Sequence, residues 1–286
     1  MGAVIYARDL EYWQLVEAGM NAAADELDVD VSVDVSNRQL QTEAQVVNTI
    51  TARGDDILVI APLDTTASVS TLEQARQKSM TVVQIDNRVD DDSFENFVGA
   101  DQAEMGRASG ESAAKYIEDS LDGDAKIALL TGDTEPNGPP RKKAFLAETD
   151  GLGEIMTSTE AVGSPEAGSK AFDTLMQSHP DVDVVWAWNG AALQGAATAA
   201  KQSGSTAKII GIDMSKQVAE MMQGEKSPVE SVADQHAYDI GYEAVKMGVS
   251  EAKGESYEKV ESVPPAVFSA GDESGLQKYL DELAGQ

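Results

Sequence analysis

Two carboxylates follow directly on buried-strand patterns: Asp86 after Val82-Val83-Gln84-Ile85, and Asp213 after Ile209-Ile210-Gly211-Ile212. The residues that close the other strand-like runs are of a similar kind. They are Arg8-Asp9-Leu10-Glu11-Tyr12-Trp13, Pro62-Leu63-Asp64, Asn87-Arg88, the stretch from Asp133 to Arg141, Asn189, and Asp234-Gln235-His236. Asp, Asn, Gln and Arg are planar groups that offer paired donors or acceptors, and a hydroxyl needs one of each. An aromatic ring can carry the apolar C–H face of a sugar, and Tyr12 and Trp13 supply two. As a set these residues suit a neutral polyhydroxy ligand better than a phosphate or an apolar molecule.

Catalytic and cofactor chemistry finds little support. The chain has no GxxxxGK[ST], GxSxG or HExxH, and Gly151-Leu152-Gly153 is not followed by the third glycine of a dinucleotide fingerprint. There is no cysteine, hence no thiolate nucleophile and no disulfide or cysteine-held metal. Only two histidines occur. His179, before Pro180-Asp181, reads as the end of a helix, where it complements the dipole. His236 reads as structural or ligand-lining, because no serine or metal partner accompanies it. Asp90-Asp91-Asp92 lacks the alternating spacing of a calcium loop and reads as a solvated turn. The chain is expected not to be an enzyme and to hold no metal or cofactor.

These residues must be positioned by alternating strands and helices. Apolar bursts at Val4–Ala7, Ile57–Ala61, Thr81–Ile85, Asn96–Gly99, Lys126–Leu130, Val182–Ala187, Lys208–Ile212 and Val229–Ala233 read as strands. A half-exposed strand is expected at Val29–Val35 and a further strand at Glu154–Thr159. Helical patterns fall between them, the last at Ala237–Val249, and Val260–Phe268 reads as one extended segment. Such alternation predicts α/β architecture with parallel, doubly wound sheets. About ten strands exceed what one twisted sheet usually holds, so two such units are expected. No Pro/Gly/Ser-rich linker separates them, which suggests short strand-like crossings. Trp186 lies mid-strand and reads as core. Trp188, at the strand end, suits core or cleft equally, as does Trp13, whereas Tyr12 is the better ligand candidate.

With 21 Lys and Arg against 50 Asp and Glu, the formal charge of the 286 residues is −29. Nucleic acids are bound through Lys and Arg that release counterions, so that class is excluded. Hydrophobic residues make up 42%, enough for full cores, and no run of about 18 apolar residues could cross a bilayer. Met1-Gly2-Ala3 leads straight into a strand-like run, so no cleavable signal is expected here. The charge suits either a well-solvated surface or adaptation to high salt, with the halophilic reading slightly preferred.

An ordered set of segments resembles a known family. It runs Glu17-Ala18-Gly19-Met20, Ile60-Ala61-Pro62-Leu63-Asp64, Val83-Gln84-Ile85-Asp86, Val98-Gly99-Ala100-Asp101, Arg141 to Phe145, His179-Pro180-Asp181-Val182, Asn189, Ile210-Gly211-Ile212-Asp213, and Gln235 ahead of Gly241. Over nearly the whole chain this is similar to the ribose- and galactose-type periplasmic sugar-binding proteins of bacterial ABC importers. The related lac-repressor-type regulators carry an N-terminal DNA-binding helix-turn-helix, and this chain opens in a sheet strand instead.

The resemblance implies the type I periplasmic binding protein fold: two Rossmann-like lobes joined by a three-crossing hinge, with sugar held between them. It implies an N-terminal lobe of residues 1–102 and 236–264 and a C-terminal lobe of 103–235 and 265–286. Matching positions imply stacking by Tyr12 and Trp13 and hydrogen bonds from Asp86, Arg141, Asn189, Asp213 and Gln235. Departures from the family pattern add Arg8, Asp9, Asn87 and Arg88 as candidate ligand residues. In the family Arg often follows the first Asp directly, whereas Asn87 intervenes here. Ala61 stands where Asn is frequent, and Gly163 where a second-lobe aromatic is expected. The expected function is a receptor that closes on a monosaccharide or related polyol and delivers it to ABC permease subunits. A receptor feeding a signalling or chemotaxis system is the alternative. A monomer is expected, periplasmic or extracellular and membrane-associated, without membrane insertion of this chain.

Overall fold

The computed structural model describes residues 1–224 and 226–285. In chain order the first elements are β1 (Gly2–Ile5), α1 (Glu11–Leu27), β2 (Ser32–Val35), α2 (Leu40–Arg53), β3 (Ile57–Ile60), α3 (Val69–Gln77), β4 (Thr81–Ile85) and β5 (Phe97–Gly99). There follow α4 (Gln102–Ser120), β6 (Ala125–Thr131), α5 (Gly138–Glu148), β7 (Gly153–Glu160), α6 (Pro165–Ser178), β8 (Val184–Ala187), α7 (Gly190–Ser203) and β9 (Lys208–Ile212). The chain ends through α8 (Lys216–Met222), β10 (Val229–Asp234), α9 (Ala237–Lys253), β11 (Val260–Ser262), β12 (Ala266–Ser269) and α10 (Glu273–Gly285). It divides into two compact units, Met1–Ala100 with His236–Val263 and Asp101–Gln235 with Pro264–Gln286.

Unit 1 holds a sheet in the order β11-β5-β4-β3-β1-β2, every pair parallel. Strands β1 and β3 are apolar runs buried throughout, and β4 is buried from Val82 to Ile85, as strands covered by helices on both faces must be. The edge strand β2 alternates Val33 and Val35 with Ser32 and Asp34 and is half-buried. Helix α1 turns Trp13, Val16, Met20 and Ala23 inward, a stripe at helical spacing. Helix α9 lies against it with backbones nearly touching. A Cβ on Gly19 would fall 1.9 Å from the Tyr238 carbonyl oxygen, and one on Gly241 1.9 Å from that of Val16.

Unit 2 repeats the winding, with order β12-β10-β9-β8-β6-β7 and only β12 antiparallel. Strands β4 and β9 therefore hold equivalent places in their sheets, fourth in a 2-1-3-4-5 order, which puts each unit among the doubly wound folds. Trp186 is fully buried, stacked on Phe145 at 4.8 Å.

Val260–Phe268 runs from one unit into the other: β11 pairs with β5 in unit 1 and β12 with β10 in unit 2. Pro264 and Pro265 stand between them, and a proline has no N–H for a ladder bond. The closing helix α10, with Leu276 and Tyr279 buried, has no counterpart in the strand and helix pattern read from the sequence.

Candidate functional site

Asp86 and Asp213 each begin the turn that follows the fourth strand of their unit. Both adopt positive φ, 62° and 71°, a region costly for a residue with a Cβ. At Asp86 the chain doubles back at once, and Asn87 N–H donates to the Ile85 carbonyl at 2.6 Å. Both carboxylates are 8% exposed. The repeated strain places a carboxylate where the backbone alone would favour glycine.

Around Asp86 unit 1 gathers Tyr12, Trp13 and Asn87. Tyr12 OH donates to Asp86 Oδ1 at 3.1 Å. Trp13 is buried in the core, stacked on Tyr6 at 4.7 Å with the edge of Tyr12 against it at 4.9 Å. Asn87 Nδ2 donates to Tyr6 OH and to the Pro62 carbonyl, and Tyr6 OH itself donates to Pro62 O at 2.9 Å. Asn87 Oδ1 is buried with no hydrogen-bond partner among the described residues.

Around Asp213 unit 2 gathers Asn189, Gly190 and Gln235. Oδ2 accepts from Gly190 N–H, the first residue of α7, at 2.9 Å, and Oδ1 accepts from Gln235 Nε2 at 2.6 Å. Asn189 caps α7 by accepting from Ala192 N–H. Gln235 Oε1 is buried and, like Asn87 Oδ1, partnerless among the described residues. Arg141, on the first turn of α5, is 2% exposed. It donates from Nε to Gln102 Oε1 at 2.7 Å and from Nη1 to the Trp188 carbonyl at 3.1 Å, both neutral acceptors. Trp188 is itself buried, its Nε1 donating to Ala161 O.

The remaining candidates are arranged differently. Arg8 and Asp9 are exposed, and each makes a two-pronged pair inside unit 1, Arg8 with Glu17 and Asp9 with Arg38. The Arg38 guanidinium holds the Asp9 carboxyl below its ordinary range. Arg88 is exposed, its guanidinium 5.4 Å from the Phe97 ring centroid.

Two contributors lie outside the residues singled out in the sequence. Tyr6 directly follows β1 and carries the Asn87 network. Glu43, fully buried on α2, accepts from Leu63 N–H at 2.8 Å and so anchors the loop that presents Pro62 O. Burial chiefly, and Asp64 nearby, push the Glu43 carboxyl above its ordinary value, against the hydrogen bonds of Ser68 and Leu63. A polar residue recurring inside an apolar helical stripe was the available signal for Glu43. Among the described residues no group of three or more His, Asp or Glu could hold a metal ion, and no helix is long and apolar enough to cross a membrane.

The chain is similar to known proteins. The ribose import binding protein of Bacillus subtilis (strain 168) is 28% identical over 82% of this chain and 75% of its own length. The binding protein of the arabinose ABC transporter of Shewanella sp. ANA-3, solved with L-arabinofuranose bound, superposes with TM-score 0.88. It is 20% identical, covering 99% of this chain and 96% of that one. A periplasmic solute-binding protein of Actinobacillus succinogenes 130z with bound D-allose superposes with TM-score 0.86 at 21% identity, covering 96% and 98%. Residues 1–256 match the family model of the periplasmic binding protein domain, and the chain belongs to that family.

Proposed function

We propose that the chain is a solute-binding receptor for a monosaccharide or related polyol, which it passes to the permease of an ABC importer. The observation that carries this reading is the pair of buried amide oxygens, Asn87 Oδ1 and Gln235 Oε1, left without partners beside Asp86 and Asp213. A buried acceptor without a donor is costly, about 1–3 kcal/mol, so each position calls for a donor from outside the chain. Carboxylates accept only, and Arg141 only donates, with part of its guanidinium still available beyond Gln102 and Trp188. Hydroxyl groups satisfy both kinds of neighbour at once, and charge-assisted bonds of this sort contribute about 1.5–3 kcal/mol each.

The relatives support a pentose or hexose as the ligand, since their names record ribose, arabinose and allose. In this reading Tyr12 supplies the aromatic face, Asn189 and Gln235 add amide groups, and Trp13 backs Tyr12 from the core. Arg8, Asp9 and Arg88 serve the rim. The receptor works as a monomer outside the cytoplasmic membrane, periplasmic or held at the extracellular membrane surface, in a high-salt setting. A thermal-shift screen over pentoses, hexoses and acyclic polyols tests the reading, because a ligand that binds only the folded state raises the melting temperature. At least one sugar or polyol should do so, and no shift from any of them would overturn it.

A further inference from the structure

We propose that Tyr6 is a positioning residue that locks the Asn87 amide in one orientation, reserving its Oδ1 for a ligand hydroxyl and making the receptor reject ligands that lack a hydrogen there. The inference rests on the sugar-receptor reading and adds to it a determinant of selectivity.

The orientation follows from what each atom can do. The Pro62 carbonyl only accepts, and it receives Tyr6 OH at 2.9 Å and Asn87 Nδ2 at 3.3 Å. Tyr6 has one proton, spent on Pro62, so toward Asn87 it presents a lone pair and accepts from Nδ2. Flipping the amide would set Oδ1 against the carbonyl and the Tyr6 oxygen, three oxygens that share the single Tyr6 hydrogen, so that Oδ1 faces the Pro62 carbonyl with no donor between them. The assignment of nitrogen and oxygen is thus dictated by the network. Tyr6 is in turn held by its ring, stacked on the buried Trp13 at 4.7 Å. Asn87 also spends its backbone N–H on Ile85. What remains is Oδ1, on a residue 6% exposed, with no partner.

An acceptor fixed in this way discriminates sharply. A hydroxyl can donate to it, whereas a methoxy group, a fluorine or a hydrogen cannot, and each leaves the oxygen buried and unpaired. Were the amide free to rotate, it could offer Nδ2 to a methoxy or fluoro oxygen or fluorine instead, and the preference would blur.

The test uses calorimetric titration of the full chain with D-ribose, D-allose and L-arabinose and with the monodeoxy, monofluoro and mono-O-methyl forms of each. In the wild type, modification at one hydroxyl should weaken binding at least about tenfold more than at positions that face solvent. Tyr6→Phe keeps the stacked ring and removes the lock, so the penalty for the fluoro and O-methyl forms at that position should shrink at least about fivefold. The penalties at other positions should stay unchanged, which a merely structural loss would not produce. Asn87→Leu removes the acceptor and should erase the positional penalty, and it decides the matter if Tyr6→Phe does not fold. Full positional discrimination in the variants that fold overturns the role of Tyr6 and Asn87 and leaves the receptor reading standing. Failure of every sugar to bind the wild type overturns both.

Discussion

Gln235 donates from Nε2 to Asp213 Oδ1 at 2.6 Å, so the Gln235 amide is oriented by the carboxylate beside it. The other Asp213 oxygen is tied to the start of α7 through Gly190 N–H at 2.9 Å. One side chain thus fixes a helix N-terminus and a neighbouring amide together, on a backbone held at positive φ.

Asp213→Asn should therefore act on both fold and binding. An amide has one acceptor oxygen and cannot serve Gly190 N–H and Gln235 Nε2 together. Loss of one buried hydrogen bond should lower stability by about 1–3 kcal/mol. Sugar affinity should fall by about ten- to a hundredfold as Gln235 loses its orientation. Denaturant unfolding and calorimetry measure the two, and an unchanged affinity would show that Gln235 is oriented by something else.

Gly106→Ala should damage unit 2 from a distance. A Cβ there would lie 2.1 Å from the Arg141 carbonyl oxygen, a backbone atom that cannot turn aside. Helix α5 must move off α4, at a cost of about 1–3 kcal/mol or more, and it carries Arg141 away from Gln102 and Trp188 O. A lower melting temperature accompanied by weaker sugar binding is expected. Wild-type stability in the variant would contradict the close packing.

The strand ends were legible because a continuous apolar run followed by Asp, as at Val82–Asp86 and Ile209–Asp213, has few other meanings in an alternating α/β chain. Their positive φ was not, since even Asp adopts it in only a minority of its occurrences and nothing local announces the turn. Tyr6 was passed over because a tyrosine closing an apolar run reads as core, and its hydroxyl partner lies far along the chain at Asn87. Glu43 sits in a helix whose other buried residues are Val47 and Ile50, and its partners Leu63 and Ser68 lie further along the chain. The pairing of β11 with β5 and of β12 with β10 is long-range, and no local pattern records it.

Glu43 gives a pH dependence of known sign. Burial raises its carboxyl above the ordinary 4.5, so the fold favours the neutral form. The stability this contributes is complete below the ordinary value and is lost as pH rises through the raised one. Glu43→Gln, neutral at every pH, should melt higher than the wild type at pH 7–8, with the gap closing as pH falls toward about 4. A gap that is constant or widens on acidification would contradict the burial of a charge at this position.

Salt should stabilise the protein if its −29 charge reflects a saline habitat. Screening shortens the Debye length to about 3 Å at 1 M and relieves self-repulsion. The melting temperature should climb between about 0.05 and 2 M KCl, beyond what screening at about 0.15 M achieves. A flat or falling curve would reduce the acidic surface to a matter of solubility.

The most direct measurement is calorimetric titration of the wild type, Asp86→Ala and Asp213→Ala with the sugar or polyol that most raises the melting temperature. Saturable binding at one site is expected, weakened by about ten- to a hundredfold in each variant, the loss of one charge-assisted hydrogen-bonding group. Affinity unchanged in both variants would contradict the placement of the ligand against these two carboxylates.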